Sequence, residues 1–508
     1  GRLMDRNNIV GPLYPQDNKI IYAFVFSLIV LIHLFINQFH SPNMDEIWNY
    51  QFARRILYGQ IPFRDYLMLN TPFSAQINAL MLSVFSDKLI VMRLVAASIA
   101  GFNGTVFFVI LRLIGKTIIA SSFYTSILIL AFLLNPQNNY SWYAVLFLSL
   151  TLLFEVLRLT RADGRKWICD YLVGACLGAV TITKQNIGAA GLVAAMMFCF
   201  YIYGTRERNS SNGNRDLFKN LLYRLAGWST VVGAELFWMV SNGSVYPVIQ
   251  LQDNVSNFTS YSLEHFIYWF KEPYVITLFS VVFAIIAFAY IMTLDPKISM
   301  PYKRILMLLA LYSSANFTMV YPMPDPAHIW FGMPLSIVTL GVLSEHPRLK
   351  HTFGRGIYLG LLTVLLVLLL VPLQRLQTNS HYNHYDLKHY DGIPLSKGLY
   401  ESTVAINEYI LYQEKKGQNV FFLNYQAPRF LIPLDKFNYR YDTLLTGDIG
   451  SMGEKDIIEK ISTTDNAVVI IAGIPSEMHR FESQAIQEYV RSNMNYTDHL
   501  RGFDVYTR

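Results

Sequence analysis

Residues 20–73 read IIYAFVFSLIVLIHLFINQFHSPNMDEIWNYQFARRILYGQIPFRDYLMLNTPF, and two kinds of chain meet inside that stretch. From Ile20 to Asn37 the side chains are almost all apolar and none is Asp, Glu, Lys or Arg. Such a run is long enough to cross a hydrocarbon layer of roughly 30 Å as a helix. From Gln38 the sequence turns mixed, and it stays neither fully apolar nor loop-like as far as Lys88. Trp48, Phe52 and Ile56 recur every four residues, which predicts an amphipathic helix over Asp45 to Tyr58 lying along the membrane surface. Gly59 and Pro62 stop it. Thr71 and Pro72 then open a second short apolar segment, Phe73 to Phe85, too short to span and expected to be interfacial as well.

Outward from that stretch the same apolar signal repeats. The chain has 508 residues, 53% of them hydrophobic, with a mean hydropathy of +0.30. That is more apolar surface than a water-soluble core can hide. Eleven membrane helices are expected, near 20–37, 89–111, 117–134, 142–157, 167–183, 187–203, 221–240, 274–292, 305–320, 329–343 and 357–371. The first reads as an anchor, because no small-residue cleavage site follows it. Basic residues fall in alternate connections: Arg112 and Lys116; Arg158, Arg161, Arg165 and Lys166; Arg206, Arg208, Arg215, Lys219 and Arg224; Lys297, Lys303 and Arg304; Arg348, Lys350 and Arg355. By the positive-inside rule that side is cytoplasmic, so the N-terminal segment Met4 to Lys19 is inside and the 38–88 loop is exterior. The net charge of +6 is then a topology signal and gives no reason to invoke nucleic acid.

Hydropathy falls after Val371. Strand-like runs at 420–423 and 467–471 alternate with helical patterns at 402–414, 454–461 and 482–491, which predicts a small exterior α/β domain. The chain therefore divides into a membrane domain, 1–373, and a soluble domain, 374–508. Cys169, Cys176 and Cys199 all lie in expected membrane helices, so no disulfide framework is available outside. No Walker or dinucleotide motif is present. The only polar tract of low complexity is Asn209 to Asn214.

Chemistry is expected where polar groups gather on exterior loops. Asp45 or Glu46 can act as general base, accepting the proton of an attacking hydroxyl; their place in a first helical turn favours ionised forms. Asn43 followed by Glu46 also fits a capping box, which points to Asp45 as the chemical acid of the two. Lys184, the one charge in the turn Thr183-Lys184-Gln185-Asn186, can hold a phosphate, or it can snorkel to the interface. The stretch Tyr321-Pro322-Met323-Pro324-Asp325-Pro326-Ala327-His328 faces the same side, with His328 as a phosphate donor and Asp325 as its orienting partner or a sugar ligand. Asp325 and His328 alone do not define a metal site. The histidines 381, 384 and 389 with Asp386 and Asp391 lie in a tyrosine-rich connector and are read as headgroup-level residues.

The order of helix, Asp45-Glu46, surface helix, Gly59-x-x-Pro62-Phe63-Arg64-Asp65-Tyr66, Asn70-x-Pro72 and second surface helix resembles the GT-C superfamily of integral-membrane glycosyltransferases. It is most similar to the branch of protein O-mannosyltransferases and bacterial aminoarabinose transferases. The resemblance implies a polytopic fold with interfacial helices in the first exterior loop. It implies sugar transfer from a polyprenyl-phosphate donor, as a hexosyl- or pentosyltransferase, to a glycan, lipid or protein acceptor, with inversion. It also implies a bacterial plasma membrane as the setting and no required metal. Asp45 matches the catalytic acid, Lys184, His328 and Arg64 are the candidate phosphate ligands, and Asp65, Asp325, Tyr321 and Asn70 are candidate substrate contacts. Arg54 and Arg55 are further cations of the loop. The rival class is a transporter or flippase of a lipid-linked saccharide, for which Glu155 and Glu235 inside membrane helices are the supporting residues.

Overall fold

The computed structural model describes residues 19–68, 70–160, 165–205, 213–244, 266–321, 323–344, 352–373, 382–383, 386–473 and 482–508. The N-terminal segment before Lys19, the basic residues Arg161, Arg206, Arg208, Arg348 and Lys350, most of the 209–214 tract, and His381 and His384 lie outside them. In chain order the first helices are α1 (Lys19–Asn37), α2 (Met44–Leu57), α3 (Phe73–Val84), α4 (Leu89–Leu113), α5 (Ile118–Leu134), α6 (Tyr140–Thr160), α7 (Lys166–Thr181), α8 (Gln185–Gly204) and α9 (Gly213–Ser241). Helices Pro273–Thr293, Met300–Phe317, Pro326–Gly332, Pro334–Leu343 and Thr352–Leu373 complete the bundle.

Every apolar run expected to span is helical. Six of these helices are long and apolar enough to cross a membrane, or seven when Pro326–Gly332 and Pro334–Leu343 count as one span bent by 51°. The protein is an integral membrane protein. The other expected spans are helices that are shorter or carry charge. α5 has 17 residues and α7 has 16, while α9 carries Arg215, Asp216, Lys219, Arg224 and Glu235 along its length. The run expected as a single helix from Ile329 is broken, because Pro334 starts a new helix after Met333.

The charges inside the bundle neutralise one another. Arg224 of α9 makes two bonds to Glu155 of α6, at 2.5 and 2.8 Å, and one to Asp170 of α7 at 3.0 Å. Arg158 pairs with Asp170 at 2.7 Å, and the Tyr312 hydroxyl donates to Glu155 at 3.0 Å. Two acids thus meet two guanidinium groups, which is what makes burial tolerable. Arg158 and Arg224, counted above as loop charges, are buried here, and Glu155 is tied into a closed network. α7 and α9 reach this contact by close approach: a Cβ at Gly174 would sit 1.9 Å from the Arg224 carbonyl oxygen, and one at Gly227 would sit 2.0 Å from that of Tyr171.

Beyond the bundle, β1 (Tyr382–Asn383) pairs with β2 (Pro394–Leu395). A four-stranded sheet has the order β3-β4-β6-β5, built from β3 (Asn419–Phe422), β4 (Ala467–Ala472), β5 (Asn495–Leu500) and β6 (Phe503–Thr507). β3 is parallel to β4, and β6 runs antiparallel to both β4 and β5. Helices Lys397–Lys415, Thr446–Thr463 and Gln484–Asn493 lie where helical patterns were expected. The β5–β6 hairpin was not foreseen; its turn is made by Arg501 and Gly502, both with positive φ.

One face of the sheet packs with Ile406, Ile410, Phe422 and Phe430. The other shares a single core with the 38–88 loop: Val469, Ile471, Ile457 and Val490 pack in one cluster with Phe52, Phe63, Tyr66, Leu67 and Met68. α2 is consequently no surface helix. Glu46, Ile47 and Asn49 through Arg55 are all buried, because the bundle covers one side and the C-terminal segment the other. Arg55 reaches Asp442 at 2.6 and 3.0 Å, Gln51 donates to the Lys436 carbonyl at 2.9 Å, and the Trp48 indole donates to the Tyr425 carbonyl at 3.1 Å.

Candidate active site

α2 starts where the sequence expects, with the Asn43 side chain accepting the Glu46 amide at 2.9 Å. That cap fixes the first turn and sends its two acids in different directions. Glu46 is fully buried against Arg93 of α4, with both carboxylate oxygens at 3.1 Å. It is committed to an ion pair and is removed from the candidate bases. Asp45 makes no ion pair of that kind; it accepts a hydrogen bond from Asn139 at 3.0 Å and faces Lys184, Asp325 and His328. The helix N-terminus was expected to favour the ionised form. Burial prevails instead and, with Asp325 nearby, holds the Asp45 carboxyl above the ordinary aspartate range against the pull of His328 and Lys184.

Lys184 caps α8 after the chain leaves α7. It is buried rather than snorkelling. Its ammonium donates to the Ser141 hydroxyl at 3.2 Å and lies 5.1 Å from the centre of the Tyr140 ring. Burial pushes its pKa down to about 8, although Asp45 and Asp325 both favour the charged form.

Asp325 caps the short helix Pro326–Gly332. One of its oxygens, Oδ1, serves both the His328 amide and the His328 ring Nδ1, each at 2.9 Å. This aims the other ring nitrogen away from Asp325. Burial acts to raise the Asp325 pKa, but His328, through charge and hydrogen bonds, holds it below the usual value, with help from Lys184.

The structure thus gathers Asp45 from the first turn of α2, Lys184 from the α7–α8 turn, and Asp325 and His328 from the start of Pro326–Gly332. Asn70 joins them indirectly, since it hydrogen-bonds Tyr140, which lies among Asp45, Asp448 and Asp325. Arg64 and Asp65 do not join. They form an ion pair with each other at 2.7 Å, Arg64 also donates to the Asn242 carbonyl at 3.0 Å, and Asp65 accepts the Ile61 amide at 2.7 Å. Both shape the turn, and Arg64 fastens it to the residue that follows α9. Tyr321 is half exposed and touches the first turn of α8 through its carbonyl, which accepts from Asn186 at 3.5 Å. Asn139, Tyr140, Ser141 and Asp448 were missed. The first three follow Asn135-Pro136-Gln137-Asn138, a polar break between apolar runs that could have drawn notice.

A separate, mostly apolar cavity of about 740 Å³ is lined by Leu57, Phe73, Leu80, Ile182, Val231 and Trp238. Ile182 on its wall precedes Lys184 by two residues in sequence. Glu235, the second acid of the transport reading, accepts from Gln76 at 2.9 Å on its wall.

Among the described residues one group has the spacing of a metal site: Asp87, His389 and Asp435, with ligand atoms within 4.8 Å of one another. Arg54 occupies the middle of it, 2.6 Å from Asp435 and 3.3 Å from both the His389 ring and Asp87. Lys388 also pairs with Asp435. With two cations already neutralising its acids, the group is an ion-pair clasp between the loop and the C-terminal segment. Asp391 is likewise paired, with Lys88 at 2.5 Å.

The fold has counterparts among solved structures. Two solved structures of ArnT from Cupriavidus metallidurans share it across nearly the whole chain. The apo form matches at a TM-score of 0.55 and 11% identity, over 96% of this chain and 98% of that one. The form bound to undecaprenyl phosphate matches at 0.56 and 11%, over 96% and 97%. At that identity the likeness is one of fold. A Saccharomyces cerevisiae protein O-mannosyltransferase, in a Pmt1-Pmt2 complex bound to the sugar donor, aligns over 47% of this chain and only 36% of its own, at 14% identity and a TM-score of 0.38. No family model and no curated protein matches the sequence.

Proposed function

We propose that the chain is a glycosyltransferase that moves a sugar from a polyprenyl-phosphate donor to an acceptor hydroxyl at the outer surface of a bacterial plasma membrane, inverting the anomeric carbon. The observation that carries this reading is the buried cluster in which Asp45 interacts with Lys184, Asp325 and His328; an apolar cavity that includes Ile182, two residues before Lys184, offers room for a prenyl chain. The fold shared with ArnT, solved with undecaprenyl phosphate bound, supports the same class of donor. The prenyl chain lies in the cavity beside Ile182, and the phosphate meets the Lys184 ammonium and the free ring nitrogen of His328.

In the reaction, the acceptor oxygen attacks the anomeric carbon from the face opposite the phosphate. The carbon–oxygen bond to phosphate breaks, and its electron pair leaves on polyprenyl phosphate. Asp45 takes the acceptor's proton, for which a carboxyl raised by burial is better suited than an ordinary one. Lys184 neutralises the charge that grows on the departing phosphate, the role a metal ion fills elsewhere, so no resident metal is invoked. Holding donor and acceptor in a single cleft contributes through orientation. The acceptor is a glycan, lipid or protein hydroxyl reached from the exterior side.

The test is transfer of radiolabelled sugar from a panel of short-chain polyprenyl-phosphate sugars by the purified protein in detergent, with and without chelator. Transfer or donor cleavage that resists the chelator and falls at least about 100-fold in Lys184→Ala supports the reading. Wild-type protein that leaves every donor intact, while moving a labelled glycolipid across a vesicle membrane, contradicts it and favours the flippase.

A further inference from the structure

Between α5 and α6 the chain runs Asn135-Pro136-Gln137-Asn138-Asn139-Tyr140-Ser141, and its polar groups meet the start of α2 at successive levels. Asn43, the cap of α2, donates to the side chains of Asn135 and Gln137, each at 3.2 Å. Asn49, further along α2, donates to the Asn138 carbonyl at 3.3 Å. Between these two levels Asn139 donates to Asp45 Oδ2 at 3.0 Å. Asn139 is buried, as are Ser141 and Lys184. Its Oδ1 accepts the Ser141 amide at 2.8 Å, which caps α6. That cap fixes the direction of the side-chain amide, because an oxygen committed to the helix leaves the nitrogen to face Asp45. Ser141 carries the link onward: its hydroxyl accepts from the Lys184 ammonium at 3.2 Å, and the Tyr140 ring centre lies 5.1 Å from the same ammonium.

We propose that Asn139 is a positioning residue for the reaction: its amide holds one oxygen of the Asp45 carboxylate, leaves the other for the acceptor hydroxyl, and through the cap of α6 ties the base to the residue that holds the Lys184 ammonium. The catalytic part of this inference rests on the transferase reading. A carboxylate free to turn presents its two oxygens alternately, whereas one held at Oδ2 presents Oδ1 alone. The N–H of Asn139 also bonds the charged form better than the neutral one, so it pulls the Asp45 pKa down against the burial that raises it. The charged and titratable groups that act on Asp45 are His328 and Asp325 at the start of Pro326–Gly332 and Lys184 of the α7–α8 turn. Tyr140 and the buried Asp448 of the C-terminal segment feel its charge in turn. Charges at a distance favour or oppose ionisation without selecting an oxygen. Among the described residues Asn139 is the one side chain that hydrogen-bonds the Asp45 carboxylate.

Asparagine, aspartate and serine cap helices about equally well, so substitution separates capping from positioning. Asn139→Asp keeps the cap of α6 but exchanges the donor for a second carboxylate. Asn139→Ala removes cap and donor together, with Asn43 and Asn49 still docking α2 on the 135–138 segment. Dicyclohexylcarbodiimide reacts with protonated carboxyl groups in apolar surroundings; the full-length protein in detergent is labelled across pH 4–9 and the Asp45 peptide is quantified by mass spectrometry. In both variants the Asp45 labelling midpoint rises by about one pH unit or more. Where donor cleavage is measurable, kcat falls about 10- to 100-fold, the donor KM holds, and the acid limb of the pH profile moves up. A wild-type Asp45 midpoint in an Asn139→Asp protein of wild-type melting temperature overturns the inference and leaves Asn139 a helix cap only. Should either variant not fold, Asn139→Ser, which caps but falls short of Asp45, takes its place under the same criterion. Labelling needs no turnover: a wild type that cleaves no donor sinks the transferase reading, while the midpoints still decide whether Asn139 governs Asp45.

Discussion

α1 and α2 are neighbours in sequence and opposites in composition. In α1 the large apolar side chains point out: Ile20, Phe24, Leu31 and Phe35 are each 60% exposed or more. In α2 the charged ones point in, with Glu46, Arg54 and Arg55 at 2% exposure or less. A water-soluble protein arranges these the other way round. For α1 the surrounding solvent is lipid, so its apolar face needs no protein cover. For α2 the surroundings are protein on both sides, so each buried charge needs a partner: Arg93, Asp435 and Asp442 supply them. Hydropathy finds the first helix at once, but it misplaces the second on the surface.

The contrast is open to attack from either end. Its largest test is Arg55→Ala, which strands the buried Asp442 carboxylate and is expected to cost about 3–5 kcal/mol of stability, seen as a lowered melting temperature and loosened proteolytic protection of residues 386–508. A wild-type melting temperature would mean that α2 is not clamped by the C-terminal segment. Next is Leu28→Asp, at the middle of α1 and partly exposed. If lipid faces this position, the change costs about 2.5–3.5 kcal/mol of insertion and lowers membrane yield; unaffected insertion would place water or a polar partner there. The smallest effect is graded by pH. Lys184 has its pKa lowered to about 8, so its ammonium is present below that value and is lost as pH rises through it. Affinity for a polyprenyl phosphate in detergent is expected to fall about tenfold per pH unit above the Lys184 pKa, as a single required proton dictates. Flat affinity from pH 7 to 10 would assign phosphate binding to another group.

Much of the bundle was legible because membrane helices announce themselves by unbroken apolar runs, and because Lys184, Asp325 and His328 each interrupt such a run on the same side as Asp45. Proline marked the break at Met333–Pro334, though the run from Ile329 hid it. Roles within the cleft were harder to read. Nothing in Asp45-Glu46 says that Arg93, almost fifty residues on, will claim one acid and leave the other. Arg64 and Asp65 look like a cation and an acid free for substrate, yet adjacency let them satisfy each other. Asp448 was out of reach altogether, since the acid that influences it, Asp45, lies far earlier in the chain and is brought near by tertiary packing that no local pattern encodes.

The central claim is that these two adjacent acids do different work, and it is measured most directly by comparing Asp45→Asn with Glu46→Gln for melting temperature and for release of polyprenyl phosphate from a labelled donor. The account predicts that Asp45→Asn keeps its melting temperature and loses turnover by roughly 10²- to 10⁴-fold, whereas Glu46→Gln loses stability because Arg93 is left buried without its partner. An Asp45→Asn protein that turns over at the wild-type rate would contradict the assignment of Asp45 as the base.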